Sequence, residues 1–199
     1  TVDLEEQGCY ETAKITAEDA ALVKVCDTMN KWVSAQITYD WNGNKVVVDG
    51  DAIHEWIQAD DKDPQLDEKA IAEFVSEQAK EYDTYGKKRK FTTVQGIELN
   101  LPSGAYGWKT DREEETKALI EAIQNGETVD KEPVYISKGA QKGSNDIGNS
   151  YVEIDLTNQH LYLFKDGDIV LETDFVSGNM SKADCVTPPG VFGLTYKTR

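Results

Sequence analysis

The stretch ITYDWNGNKVVVD, residues 37–49, contains two runs rich in β-branched and aromatic residues on either side of Asn42-Gly43. An Asn-Gly pair between such runs is a strong short-range sign of a β-hairpin, because both residues accept the positive φ angles of a tight turn. The stretch therefore predicts two antiparallel strands. What lies on either side of it decides the fold class.

Helical patterns flank this hairpin. Upstream, Thr16-Ala-Glu-Asp19 has the form of a capping box and precedes apolar residues at helical spacing, which predicts a helix that ends near Lys31. Downstream, residues 51–57 suggest a short helix, and apolar residues three and four apart predict an amphipathic helix over about residues 67–85. This mixture of helices and hairpins predicts an α+β fold.

The rest of the chain changes character twice. Residues 91–101 predict a second hairpin, and the stretch from Asp111 to Gly126 has the start and stop signals of a helix. Residues 138–150, KGAQKGSNDIGNS, are rich in glycine and polar residues and predict a linker. Beyond it the pattern alternates as in an antiparallel meander. We predict a mixed helix and hairpin domain over 1–137, a linker over 138–150 and an incomplete β-rich part over 151–199.

The charge of the chain limits its partners. The net charge is −16, and seven acidic against four basic residues from Tyr151 onward give −3, which leaves −13 to residues 1–150. Such a surface repels phosphate backbones and anionic lipids, so we expect no nucleic-acid partner. The one basic run, KKRK at residues 87–90, is expected to be a solvated turn.

The cysteines and the apolar runs bear on the compartment. Three cysteines leave at least one thiol unpaired; Cys9 and Cys26 could form a disulfide outside the cell, although we favour two free buried thiols. No stretch approaches the ~18 apolar residues of a membrane span, and the first residues lack an export signal. We expect that any signal or anchor has been removed.

Two segments resemble a known pair of bacterial cell-wall domains. Residues 151–179, with Asn158-Gln159-x-Leu161, and the Thr187-Pro188-x-Gly190-x-Phe192 turn resemble the opening strands of the YkuD-type L,D-transpeptidase catalytic domain. Residues 91–126, with Tyr106-Gly107-Trp108, resemble the peptidoglycan-binding domain that often precedes it in Gram-positive bacteria. The order of the two segments, joined by a glycine-rich stretch, is more specific than either alone.

The resemblance implies acyl transfer. In that family a Cys thiolate attacks the peptide bond after the third residue of a stem peptide, terminal D-Ala leaves, and an amine of a neighbouring stem takes the acyl group. The thiol needs a pKa lowered by a nearby imidazole, and the oxyanion needs amide donors. The family supplies these groups from a Ser-x-Gly-Cys-x-Arg loop and an upstream His, and this sequence has no such loop.

No residue of this chain is therefore predicted to be catalytic. Asp184 next to Cys185 would raise the thiol pKa, so Cys185 is read as a loop or packing thiol, and neither His54 nor His160 is predicted to be a general base. The scattered His and Cys residues predict no metal site, and we expect no cofactor. We expect the chain to be a piece that ends within the catalytic domain, with the catalytic half downstream of Arg199.

Six residues are candidates for substrate contact. Tyr106 and Trp108 could stack on sugar rings or stem peptides, although aromatic residues also fill cores, which is the reading we favour. The Thr-Pro-x-Gly segment lies near the catalytic cleft in the family, so its residues could form a substrate wall, while their simplest role is to fix a turn. These residues are Thr187, Pro188, Gly190 and Phe192.

The leading hypothesis is a part of a secreted, wall-associated L,D-transpeptidase, inactive as given, in which residues 1–137 bind glycan strands or stem peptides of peptidoglycan. The alternative is a non-catalytic cell-wall-binding or surface-display module. A Cys in a glycine-rich loop after Arg199 would distinguish the two. Both imply an extracellular place, in the wall or anchored on the outer face of the membrane. Unpaired C-terminal strands would favour self-association.

Overall fold

A computed structural model describes Gly8, residues 19–58 and residues 63–196 of the chain. Within these ranges the helices are α1 (Ala20–Val33), α2 (Gly50–His54), α3 (Glu68–Tyr82) and α4 (Arg112–Asn125). The strands are β1 (Gln36–Trp41), β2 (Asn44–Val48), β3 (Ile57–Gln58), β4 (Gln65–Leu66), β5 (Arg89–Thr92), β6 (Glu98–Leu101), β7 (Lys109–Thr110), β8 (Thr128–Lys131), β9 (Tyr135–Ser137), β10 (Val152–Asp155), β11 (His160–Lys165) and β12 (Asp168–Asp174). A 3-10 turn follows at Ala183–Cys185.

The first hairpin forms as its sequence predicts. β1 pairs antiparallel with β2, and Asn42 and Gly43 take φ angles of 52° and 85° in the turn between them. The backbone N–H of Gly43 donates to the carboxylate of Asp40 over 2.8 Å, which closes the turn. β1 also pairs in parallel with β8, so the sheet has the order β2-β1-β8.

Alternation along β1 places one face of this sheet in the core. Ile37, Tyr39 and Trp41 are at most 1% exposed, and the residues between them face outward or lie half-buried. The four helices, β2 and the segments that follow α1 and α2 supply the rest of the core, which stabilises the domain because it removes a large apolar surface from water. Its other fully or largely buried members are Trp32, Ala35, Val48, Ile53, Trp56, Ile71, Val75, Ala79, Leu119, Ala122 and Ile123.

Acidic side chains cap the three long helices. Asp19 accepts hydrogen bonds from the first N–H groups of α1, Asp67 from Ala70 in α3, and Asp111 from Glu114 in α4. Each cap satisfies a backbone donor that the helix itself leaves free. Thr16 of the predicted capping box lies outside the described residues, as does Cys9. α3 ends at Tyr82, three residues before the predicted end, because Asp83 is extended.

The predicted C-terminal meander is also present. β10, β11 and β12 form an antiparallel sheet in that order. Tyr151 stacks on Phe164 at 4.6 Å and meets Phe91 of the β5–β6 hairpin edge-on at 5.6 Å, so the meander contacts the first domain through aromatic rings. Every residue of β12 is exposed. The α+β class predicted from the sequence is confirmed.

Candidate functional site

The glycine-rich segment (residues 138–150) is packed against the first domain. It lacks helix and strand, in keeping with its sequence, yet Asp146 within it is completely buried. The Arg89 guanidinium donates two hydrogen bonds to the Asp146 carboxylate, Nε to Oδ1 over 2.7 Å and Nη2 to Oδ2 over 2.6 Å. The hydroxyl of Thr84 donates to the same carboxylate. This paired geometry is the strongest form of the Arg–carboxylate contact.

Arg89 therefore corrects the expectation for residues 87–90. The sequence predicts a solvated basic turn, and Lys87 and Lys88 are indeed exposed. Arg89, however, is only 8% exposed, because it opens β5 and points its side chain inward to Asp146. A buried carboxylate 57 residues further along the chain neutralises its charge.

Tyr106 and Trp108 hold the glycine-rich segment with their polar atoms. The hydroxyl of Tyr106 donates to the backbone oxygen of Asp146 and accepts from the N–H of Ala140, both over 2.8 Å. The indole N–H of Trp108 donates to the backbone oxygen of Gln141 over 2.7 Å. Burial raises the pKa of Tyr106 above its ordinary value, so its hydroxyl keeps its proton.

The two aromatic residues differ in what they leave exposed. Trp108 is 5% exposed and packs edge-on against Tyr135 at 4.9 Å, the core role that we favour for it. Tyr106 is half-buried, so part of its ring faces solvent while its hydroxyl is occupied. Of the two, Tyr106 is the one with ring surface left for a substrate.

The C-terminal turn lies against the loop that carries Tyr106. The N–H of Gly193 donates weakly to the oxygen of Ala105 over 3.4 Å. A Cβ on Gly104 would lie 2.1 Å from the oxygen of Val191, so the close approach of the two segments requires glycine there. Gly190, at φ 149°, sits over Ser103, where an added Cβ would lie 3.1 Å from the backbone oxygen.

Three of the six predicted contact residues thus lie together. The contact surface (residues 103–106 and 190–193) combines Tyr106, Gly190 and Phe192, which come from widely separated parts of the sequence. The Phe192 side chain is 53% exposed. Thr187 lies apart, because its hydroxyl accepts from the N–H of Gly178 over 2.9 Å, and Pro188 is exposed. Trp108 is buried and is not part of this surface.

Ion pairs fix the other end of the glycine-rich segment. The ammonium of Lys142 contacts Asp40 at 2.6 Å and also contacts Glu132, while Lys138 contacts Glu132 at 2.9 Å. The hydrogen bonds from Lys142 and Lys138 lower the pKa of Glu132 below its usual range, so the carboxylate stays charged. The N–H of Gly143 donates to Asn42 in the first hairpin.

Cys185 is exposed and lies at the end of the 3-10 turn. Within the described part of the chain its sulfur makes no hydrogen bond. The imidazole of His160 pairs instead with Asp174 at 2.7 Å, and His54 lies 4.0 Å from its neighbour Glu55. The described residues thus hold no Cys–His pair of the kind that lowers a thiol pKa.

Sequence reasoning missed two buried carboxylates. Glu115 is fully buried on α4, where it accepts from the hydroxyl of Tyr39 over 2.5 Å and lies 3.1 Å from the ammonium of Lys131. Its position four residues before Leu119 places it on the apolar face of the helix, and this spacing was the available signal. No comparable signal marks Asp146, whose partner is distant in sequence.

Over residues 19–58 and 63–196, no group of three or more His, Cys, Asp or Glu side chains is arranged to hold a metal ion. None of the helices in these ranges is long and apolar enough to cross a membrane. A shallow cavity of about 370 Å³ opens beside the glycine-rich segment. Its lining consists of Ala140, Gln141, Gly148, Asn149, Ser150 and Asp166.

Comparison with known proteins gives a family and two similar structures. Residues 15–131 match the family described as "Putative peptidoglycan binding domain". No curated protein matches the chain. The Ldtfm–avibactam carbamoyl enzyme is 31% identical, with a TM-score of 0.61 over 80% of this chain and 63% of that one. A Cys-to-Ser mutant of the Enterococcus faecium L,D-transpeptidase is 29% identical, with a TM-score of 0.62 over 84% and 66%. The chain thus spans just under two thirds of each.

Proposed function

The chain belongs to the putative peptidoglycan binding domain family, and from this membership we propose that its first domain binds peptidoglycan for an L,D-transpeptidase. The similarity to two L,D-transpeptidase structures supports a role connected with a cell-wall enzyme and a place in or near the wall. The finer assignments, to glycan strands or stem peptides and to acyl transfer in a Gram-positive wall, are part of this proposal.

One observation carries the proposal. The similarity to the two enzymes covers 80% and 84% of this chain, which is more than the 15–131 match to the binding family. The extra coverage requires that the similarity extend beyond the binding family's match. Within this chain, Asp146 and the ring pair Tyr151–Phe91 join the later residues to the first domain. A binding domain held this way can present a wall polymer to a catalytic domain at a fixed distance.

Sedimentation with insoluble peptidoglycan tests the binding role. The whole chain is mixed with purified peptidoglycan, and we expect it to pellet well above an unrelated protein of similar net charge. The acidic control matters because the chain carries −16 and could be repelled by, or trapped in, a charged polymer. Recovery equal to the control would show that the domain does not bind peptidoglycan.

The second part of the proposal is that the described residues do not form the acyl-transfer site. It is supported by the thiol of Cys185, which is exposed and has no partner among the described residues, and by the pairing of His160 with Asp174. Incubation with a stem tetrapeptide, followed by intact mass measurement, should give no acyl adduct. An adduct in the parent that disappears in Cys185→Ser would assign the nucleophile to Cys185 and end this part of the proposal.

The lack of an imidazole beside Cys185 among the described residues also allows a second function. A chain whose described thiols have no imidazole partner could act as a non-catalytic cell-wall-binding or surface-display module. Sedimentation with peptidoglycan is expected in both cases. The complete coding sequence would distinguish the two functions, because the enzyme requires a Cys in a loop lined by hydrogen-bond donors and the display module does not.

A further inference from the structure

The turn after α3 carries Tyr85 and two exposed lysines, in a chain whose net charge is −16. Lys87 and Lys88 follow the turn after α3, and Lys109 lies in β7. All three side chains belong to exposed residues, and among the described residues none of them lies within 4.0 Å of a carboxylate. By contrast, Lys117, Lys138 and Lys142 all form ion pairs.

Backbone hydrogen bonds shape this turn and set it beside β7. The N–H of Tyr85 donates to the oxygen of Trp108 over 3.0 Å, which sets the turn beside β7. The ammonium of Lys109 consequently lies 5.1 Å from the centroid of the Tyr85 ring. The N–H of Lys87 donates to the oxygen of Thr84 over 3.1 Å and closes the turn. We name Tyr85, Lys88 and Lys109 the lysine–tyrosine surface.

Among the described residues, hydrogen bonds hold the ammonium of Lys87 but not those of the other two lysines. The ammonium of Lys87 donates to the backbone oxygens of Lys80 and Glu81, where it caps the negative end of α3. Neither Lys88 nor Lys109 has a hydrogen-bond partner for its ammonium among the described residues. The nearby Asp83 carboxylate is occupied by the N–H and hydroxyl of Thr110.

We propose that the lysine–tyrosine surface is the place where this chain holds peptidoglycan, with stem-peptide carboxylates on Lys88 and Lys109 and a sugar ring on the face of Tyr85. The inference rests on the proposed function. An acidic chain repels an anionic polymer over most of its surface, so attraction requires a place where cations are not neutralised. Ammonium groups bind carboxylates, and an aromatic face offers apolar contact to a sugar ring.

The test compares two double variants of the whole chain in peptidoglycan sedimentation. Lys88→Gln/Lys109→Gln removes two charges from the surface, and Lys24→Gln/Lys45→Gln removes two from exposed lysines of α1 and β2 that form no ion pair with a described residue. Two exposed ionic contacts account for about five- to tenfold in affinity at low salt. We expect that loss for the first variant, binding within about twofold of the parent for the second, and circular dichroism unchanged in both.

Each other outcome overturns a defined statement. If the parent pellets and the Lys88/Lys109 variant pellets equally, the surface is wrong and the proposed function stands. Equal losses of binding in both double variants would mean that binding depends on the total charge and not on this surface. If the parent does not pellet, both the proposed function and the proposed surface are wrong. Stacking is tested by Tyr85→Phe, which should bind like the parent, against Tyr85→Ala, which should bind less; equal binding would exclude it.

A last experiment identifies which anionic group of the cell wall the lysine–tyrosine surface binds. Phosphodiester polymers attached to cell walls would also attract ammonium groups. The parent should bind purified peptidoglycan, freed of such polymers, as well as it binds native walls. Binding that is lost with the phosphate groups would replace the stem-peptide carboxylate with a phosphate as the ligand and contradict the proposal.

Discussion

At the scale of single residues, the buried charges carry the most specific consequences. Asp146 and Arg89 are nearly removed from solvent, with side chains 0% and 6% exposed, and satisfy each other through two hydrogen bonds. Such a pair adds little net stability over an apolar pair, but removal of one charge leaves the other buried without a partner. The sensitivity of the chain to substitution is therefore concentrated at these positions.

Asp146→Asn should destabilise the chain strongly. The amide keeps the shape of the carboxylate but leaves the Arg89 guanidinium without a countercharge, so we expect a loss of about 3 kcal/mol in the free energy of unfolding. Urea unfolding measures it. Asp184→Asn, at an exposed position, is the matched control and should change little. Equal stability of the two variants would mean that the buried pair is not needed.

Glu153 gives a prediction about pH. Burial raises the pKa of its carboxyl, more than the hydrogen bond from Val94 lowers it, and the charge of Asp155 adds to the rise. A raised folded-state pKa favours the folded state while the group is protonated, at and below its ordinary pKa of 4.5, and this contribution is lost as pH rises through the raised pKa.

The variant Glu153→Gln should remove this part of the pH dependence. The amide oxygen can still accept from Val94, and no charge is buried at neutral pH. We expect the variant to be more stable than the parent at pH 7 by a small margin that shrinks towards the pH at which Glu153 is protonated. Thermal unfolding at a series of pH values measures the difference. The stability of the control variant Glu172→Gln, at an exposed position, should follow that of the parent at every pH.

At the scale of elements, β12 is an open sheet edge. Ile169, Val170 and Leu171 are 45%, 55% and 51% exposed on a strand that pairs with β11 on one side alone among the described strands. Unpaired strand edges with apolar side chains are templates for pairing with another chain. The self-association predicted from the sequence therefore remains a prediction, now with a defined place.

Val170→Lys should reduce that self-association. A charge on the edge strand opposes pairing between copies, and the exposed position tolerates it. Sedimentation velocity over a range of protein concentrations should show oligomers in the parent and fewer in the variant. Val23→Lys adds the same charge at a similarly exposed place on α1 and should leave the oligomers unchanged. A parent that stays monomeric throughout would contradict the prediction.

At the scale of the whole molecule, local patterns predicted the elements but not how they meet. The hairpin at Asn42-Gly43 and the cap at Asp111 follow from adjacent residues, and both formed. The parallel pairing of β1 with β8 and the Arg89–Asp146 pair join residues far apart in the chain, and no local pattern in the sequence predicts them. The proximity of the Tyr106 loop to the C-terminal turn was not predicted from the sequence either.

These contacts predict a single unfolding unit. Arg89–Asp146, Glu153–Val94 and the Tyr151 rings all cross between the first domain and the residues that follow, so neither part can unfold without breaking buried contacts. We expect one calorimetric transition in the parent, whose calorimetric and van't Hoff enthalpies agree. In Asp146→Asn we expect two transitions. Two transitions in the parent would show that the parts are independent.

The burial of Asp146 also bears on where the chain can be cut. A recombinant first domain that stops at residue 137 would lack the carboxylate for Arg89 and the backbone oxygens that hold Tyr106 and Trp108. Such a truncation would leave the Arg89 guanidinium, the Tyr106 hydroxyl and the Trp108 indole N–H without these acceptors. A shortened version meant for ligand screening or crystallisation should therefore retain residues 138–148, the stretch that composition alone would discard.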